Sequence, residues 1–326
     1  MTVGLLAALV VVALVASLAI GTKNVAPTEV LAMLGGDREG DAGLIWDLRV
    51  PRTLMGLLVG VSIGVAGAVA QNITRNPLAD PGLIGISAGA AFAVAASVGL
   101  LGLEGTYAYV WFAFLGAAVA GAFAYVIGGT GGGGATPAKL ALAGAAISVL
   151  LDAATSALVL TDPHALDRYR SWAVGSLTGR GNDLVWQLAP FVVAGLVLAL
   201  VISGRLNALA LGDDLATTLG AKAGTTRLLG AAVVVVLTGA AVAAAGPIVF
   251  VGLVVPHVLR AFVGPDARWL VPCSGLAGAV LLLAADIIGR VIARPTEVEV
   301  GVVTAFLGAP FLIYLVKSGK LREQDS

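Results

Sequence analysis

Residues 228–256 read LLGAAVVVVLTGAAVAAAGPIVFVGLVVP, without a charged side chain. A helix rises 1.5 Å per residue, so about 20 apolar residues cross the hydrocarbon core of a bilayer. The stretch is too long for one crossing, and Gly246-Pro247 interrupts it, because proline lacks an amide donor and clashes with the preceding turn. It predicts a full span over 228–245 and a shorter returning segment over 249–263. An apolar chain that turns back at a proline belongs in a helical membrane bundle.

The same reading extends in both directions. Uncharged or nearly uncharged runs predict further spans near 3–21, 53–72, 83–101, 107–127, 138–160, 184–203, 271–289 and 300–316, ten in all within one domain of 1–326. The run Gly105–Ala138 is cut at Gly128–Gly134, since consecutive glycines hold a helix badly. Composition agrees: 326 residues are 59% hydrophobic and 12% charged, against about 25% charged in soluble domains, and mean hydropathy is +0.99. A transmembrane β-barrel needs alternating strands of about ten residues. These runs are continuous and rich in Ala, Leu and Gly, so the fold class is all-α, a polytopic helical bundle in lipid. Gly56, Gly60 and Gly64, like Gly85 and Gly89, recur every four residues, a spacing suited to close helix packing.

Several function classes drop out. Nineteen Lys/Arg balance nineteen Asp/Glu, which removes the basic footprint of a nucleic-acid binder. The single cysteine, Cys273, excludes an internal disulfide and a thiolate metal cluster. His164 and His257 have no second histidine at metal-ligand spacing, so no metal or other cofactor is expected. Lys317-Ser318 follows Val316 where a phosphate-binding loop requires glycine, so an ATP-driven role needs a separate ATPase subunit. The first basic residue, Lys23, follows the first apolar run, the reverse of a cleavable signal, and that span is expected to be retained. With the C-terminus inside, ten Lys/Arg lie on the inner side and the remaining nine outside, so charge bias does not orient the chain.

Two acids, Asp152 and Asp286, fall within spans. An Asp at a helix centre costs roughly 2.5–3.5 kcal/mol on insertion scales, so both are expected to face the bundle interior. Each reads either as a proton or cation relay or as a structural acid. Ser148 and Ser156 lie four residues from Asp152, and Arg290 lies four residues after Asp286, where it can pair along one helix face.

Four segments carry more information together. They are Arg49-Val-Pro-Arg52, with Gln71 and then RNPLADPG over 75–82; LGDDLATTLG over 211–220; GPIVFVGLVVPHVLR over 246–260; and EVGVVTAFLGAP over 299–310. Taken in order they resemble the FecCD-type permeases of ABC importers, which take up iron–siderophore complexes, haem and cobalamin. The resemblance implies a type II ABC-importer-like subunit of the cell membrane with both termini cytoplasmic. It implies a homodimer or a paired permease, two cytoplasmic ATPase subunits, and an extracytoplasmic substrate-binding protein.

What the resemblance implies for single residues is equally definite. Arg49, Arg52 and Arg290 match the arginines that dock the binding protein, a role suited to a fork that binds carboxylates in two places and sets register. Asp213, Asp214, Leu215, Ala216, Leu219 and Gly220 fall in the segment that couples to the ATPase, a short amphipathic helix with a glycine stop. Gln71, Thr136, Pro137, Gly246, Pro247 and Phe250 are candidates for the translocation path or gate, with 169–179 beside them. Iron–siderophore is the expected cargo, with cobalamin or haem as alternatives. A rival class, an ion-coupled secondary transporter using Asp152 and Asp286, predicts broken helices in matching places of two repeats. The break at 246–247 has no counterpart in the first half of the sequence.

Overall fold

Apolar runs become helices because lipid leaves each backbone amide and carbonyl no partner outside its own segment. A computed structural model of the chain describes residues 2–36, 40, 42–103, 106–129, 137–161, 166, 169–170, 172–212 and 222–317. In order these form α1 (Thr2–Ala19), α2 (Pro27–Leu34), a π-turn (Leu44–Arg49) running directly into α3 (Val50–Thr74), and a 3₁₀ turn (Pro81–Ile84). Then come α4 (Ile86–Gly99), α5 (Thr106–Gly129), α6 (Pro137–Thr161), α7 (Asn182–Ala210), α8 (Ala223–Ala245), α9 (Val251–Val263), α10 (Ala267–Ile292) and α11 (Val300–Lys317). There is no strand among the described residues. Among the described residues seven helical stretches are long and apolar enough to cross a membrane, and α4, α9 and residues 300–315 are shorter apolar helices. The fold is an all-α membrane bundle.

Three features depart from the sequence expectations. Helix α2 lies where no element was expected; Val30 and Met33 pack with Ile45 and Leu18 in a small satellite core. Helix α4 starts later than residue 83, because Pro81–Ile84 forms a 3₁₀ turn and Gly85, at φ 81°, restarts the chain in a left-handed conformation. Helices α7 and α10 overrun their apolar runs at one shared junction. There Asp266 caps α10 by accepting from the Arg268 amide at 2.9 Å, and Asn207 donates to the same carboxylate at 2.6 Å. The Asn207 hydrogen bond, then the Arg268 amide, holds the Asp266 carboxyl below the usual range.

Helix α3 is central and packs on α7, α8, α9 and α10. Its contact with α10 is set by glycine. A Cβ at Gly60 would stand 2.7 Å from the Ala279 Cα, and one at Gly64 would overlap the Ser274 carbonyl. The backbones can approach this closely only without side chains, the packing rule for helices in lipid. Gly89 of α4 meets Gly116 of α5 in the same way.

The break between α8 and α9 is a real one. Gly246 takes φ 76° and Phe250 takes φ 70°. The Ala245 carbonyl released by the break accepts from the Ser176 amide at 2.7 Å, and the Gly175 carbonyl accepts from Gly301 at 3.0 Å. The segment 172–177 thus supplies partners that an interrupted membrane helix must find inside the protein.

Candidate functional site

The last carbonyls of a helix have no partner within it. At the end of α1 two arginines take them. Arg49 donates through Nη1 to Leu18 at 2.5 Å and Ala19 at 3.1 Å, and through Nη2 to the Lys23 carbonyl. Arg290 donates through Nη1 to the Ser17 carbonyl and through Nη2 to the Ser17 hydroxyl, both at 2.8 Å. Both cations sit at the negative end of the α1 dipole. The Ser17 and Thr53 hydroxyls share a hydrogen bond of 2.8 Å, which brings α3 into the same junction.

Arg52, one turn after Arg49, faces the other way around this junction. Its Nε and Nη2 both donate to Asp286 Oδ1, at 3.0 and 2.8 Å, and its Nη1 donates to Glu297 Oε2 at 2.7 Å. The second carboxylate oxygen of Asp286 lies 2.9 Å from Arg290 Nη2, in an alignment that forms an ion contact without a hydrogen bond. A carboxylate only 2% exposed is therefore held between two guanidinium groups. Buried charge is tolerable only when paired in this manner. Around it lies a cavity of about 180 Å³ bounded by Arg49, Arg52, Arg290, Glu297 and Gly179.

Asp286 thus faces the interior and pairs with Arg290, as the four-residue spacing implied, but its stronger partner, Arg52, is 234 residues away in sequence. The three arginines expected to dock a partner divide by access. Arg49 and Arg290 are 5% and 3% exposed, whereas the Arg52 side chain, 12% exposed, reaches the cavity beside a more open Glu297.

Asp152 does not face the interior. It is exposed on α6, and Val149, Leu150, Ala153, Ser156 and Leu160 are exposed with it. The reason for the miss is that an isolated chain with a polar helix face has no need to turn it inward if that face meets water or another protein. Ser156 Oγ donates to the Asp152 backbone carbonyl at 2.8 Å and leaves the carboxylate alone. Beside this face lies a cavity of about 610 Å³, with Asp80, Ser148, Asp152, Tyr169 and Pro247 in its wall. Asp80 caps the 3₁₀ turn by accepting from the Gly82 amide at 2.8 Å, and burial pushes its carboxyl up to about 6. Burial likewise raises the Tyr169 phenol, and the charge of Asp152 adds to the effect.

The candidate gate residues are scattered. Gln71, 2% exposed, donates to the Gly252 and Leu253 carbonyls at 3.3 and 3.2 Å and accepts from Arg260 at 2.6 Å, so it clips α9 to α3. Pro247 borders the large cavity, while Phe250 borders a separate one of about 180 Å³ with Thr304, Gly308 and Phe311. Gly246 supports the helix break, and Pro137 opens α6. Thr136 and the candidate coupling residues, Asp213, Asp214, Leu215, Ala216, Leu219 and Gly220, lie outside the described residues. Asp80 and Glu297 were not singled out from the sequence. Asp80 sits inside the quoted segment 75–82 without being picked out from it, and Glu297, after Arg-Pro-Thr, carries no pattern that distinguishes it from a loop acid.

Comparison with known proteins places this arrangement. The ferric enterobactin transport system permease protein FepD of Escherichia coli (strain K12) is 45% identical over 311 residues, covering 95% of this chain and 92% of the relative. The Fe(3+)-citrate import system permease protein YfmD of Bacillus subtilis (strain 168) is 45% identical over 277 residues, covering 85% and 82%. Among solved structures, an inward-facing metal-chelate type ABC transporter superposes with a TM-score of 0.85 at 28% identity, covering 97% of this chain and 98% of the other. Residues 9–318 match the FecCD transport family, and the chain belongs to that family of membrane transport permeases.

Proposed function

We propose that this permease forms half of the membrane pathway of an ATP-driven importer for a ferric chelate, an iron–siderophore complex, with α6 facing the pathway. The observation that carries the reading is the exposed carboxylate of Asp152 within a long apolar span. A charge facing lipid is costly, so intramembrane acids face a bundle interior or a water-filled cavity. In this chain that carboxylate faces out of the subunit, beside a large cavity, and a second permease copy would enclose it. Relatives named for ferric enterobactin and ferric citrate, each 45% identical, support an iron chelate, against 41% for a relative named for cobalamin import.

In this reading both termini lie in the cytoplasm, and the end of the bundle bearing Arg52 and Glu297 faces outward in the cell membrane. A substrate-binding protein docks there through carboxylates that meet Arg52, with Arg49 and Arg290 shaping the floor. Two ATPase subunits engage residues 213–220 at the other end; their closure moves that segment, and rigid-body rocking opens the pathway inward. The permease contributes a route and a coupling surface without bond chemistry. Against the ion-coupled alternative stands Asp286, whose carboxylate is closed off by Arg52 and Arg290.

The test is uptake of radiolabelled iron into proteoliposomes holding the assembled complex, with binding protein and ferric siderophore outside and ATP inside. Uptake is expected to need a competent ATPase and to ignore protonophores. Uptake that survives ATPase inactivation and stops with a protonophore overturns the proposal. Asp214→Lys is expected to uncouple ATP turnover from uptake in the same vesicles.

A further inference from the structure

Arg52 is held on two edges by groups of very different accessibility. Its Nε and Nη2 face Asp286, which is buried, while its Nη1 faces Glu297, whose side chain is 27% exposed. Glu297 lies in the irregular stretch between α10 and α11. Around it the backbone is fixed: the Val298 amide donates to the Gly289 carbonyl at 3.0 Å, and the Thr296 hydroxyl donates to Ala293 at 2.7 Å. The side chain can therefore swing away without unfolding anything. If it does, Arg52 keeps Asp286 as counter-charge, and one donor edge opens into the 180 Å³ cavity.

We propose that Glu297 stands in for a partner's carboxylate: it occupies the outer edge of Arg52 in the undocked permease, and an acidic side chain of the docking protein takes its place. The inference rests on the docking role given to Arg52 and adds a residue that regulates it. The chemistry favours exchange over addition. A guanidinium presents its donors in a fixed fork; each nitrogen of Arg52 already donates once, and Nη1 donates to Glu297, so an incoming carboxylate that takes this edge competes with Glu297 for it. The pair that yields is the more solvated one, because separating it leaves no uncompensated buried charge. Displaced Glu297 becomes a free anion at the rim. Docking thus has a built-in competitor that weakens it and makes release easy, as a reversible partner requires.

The assembled importer in lipid nanodiscs, titrated with its substrate-binding protein, tests this directly. Glu297→Gln is expected to tighten docking about fivefold, the range that solvated ion pairs reach, and Glu297→Asp is expected to dock like the parent. Unchanged or weaker docking by a correctly assembled Glu297→Gln importer overturns the proposal. Arg52→Gln in the same assay separates the two ideas. If it docks like the parent, the arginine reading itself fails; if it docks weakly while Glu297→Gln does not tighten, only the competitor role fails. A second measurement leaves Glu297 intact: Thr296→Cys is spin-labelled, with the lone native cysteine, Cys273, buried and silent. Docking is expected to change the label's mobility, and an unaltered spectrum at saturating binding protein overturns the exchange.

Discussion

Arg290 binds Ser17 twice, through the backbone carbonyl and through the hydroxyl, each at 2.8 Å, and so joins α10 to α1 across 273 residues of sequence. The same guanidinium lies against Asp286. First and tenth helices are held together by a polar bolt, and Arg49, at the end of the π-turn before α3, ties that element to the neighbouring α1 carbonyls.

Arg290→Met is therefore expected to be a stability variant first. Removing one partner from a buried charge cluster costs about 3–5 kcal/mol, and here it also strips the Ser17 contacts. Thermal melting of the detergent-purified permease should fall sharply, with α1 becoming sensitive to protease. If melting is unchanged while binding-protein docking is lost, Arg290 serves the partner and not the fold.

Gly64→Val is expected to stop assembly of the α3–α10 pair. Its Cβ would overlap the Ser274 carbonyl, a backbone atom with no rotamer to change. Overpacking of side chains alone costs roughly 1–3 kcal/mol, so a backbone clash should exceed that. Gly4→Val is the control, since nothing lies within 4 Å of a Cβ there. Comparable expression and melting for both variants would contradict the close crossing.

How far the sequence reveals such contacts depends on their range. The four-residue glycine spacing of 56, 60 and 64 announced a packing stripe, because helical periodicity is local, and the Gly246-Pro247 break was readable for the same reason. Asp286 with Arg290 was readable as a pair along one helix. Arg52 with Asp286 was not: nothing local couples residues 234 positions apart. Asp152 misled for a different reason. The rule that an intramembrane acid faces inward concerns everything that surrounds it in the membrane, and in the proposed assembly a single chain's interior is only part of that inside. The bonds of Gln71 to α9 were not readable either, since they join residues 181 and 182 positions apart.

Gln71→Leu tests those bonds. The amide binds two α9 carbonyls and the Arg260 guanidinium. Leucine fills the volume and leaves a half-buried cation unpaired, at a cost of about 2–3 kcal/mol. A second change, Arg260→Leu, should recover much of the loss in a double-mutant cycle. Additive losses would mean that the two side chains act independently.

Asp152 should be reachable from water in the assembled importer. Asp152→Cys is expected to react with a membrane-impermeant thiol reagent, while Leu282→Cys, fully buried in α10, is expected to stay unlabelled. Asp152→Asn should keep ATP-dependent uptake, since a pathway wall needs polarity more than charge. Failure of Asp152→Cys to label from either side would place the α6 face against lipid or dry protein. Loss of uptake by Asp152→Asn at normal expression would instead favour a proton relay.

Asp80 gives the chain a definite pH response. Burial raises its carboxyl from 3.8 to about 6 despite the Gly82 hydrogen bond. The folded protein therefore binds this proton more tightly than the unfolded chain does. Linkage then makes stability fall as pH rises wherever the folded state holds more protons. The contribution is complete below about pH 4, declines between about 4 and 6, and is gone above that window. At about 1.36 kcal/mol for each pH unit of difference, the whole effect is on the order of 3 kcal/mol. Asp80→Asn keeps an oxygen for the Gly82 amide and removes the ionisation, so it should raise the melting temperature at pH 7.5 and flatten its dependence between pH 4 and 6. A parent-like pH profile in Asp80→Asn would assign the titration to another group.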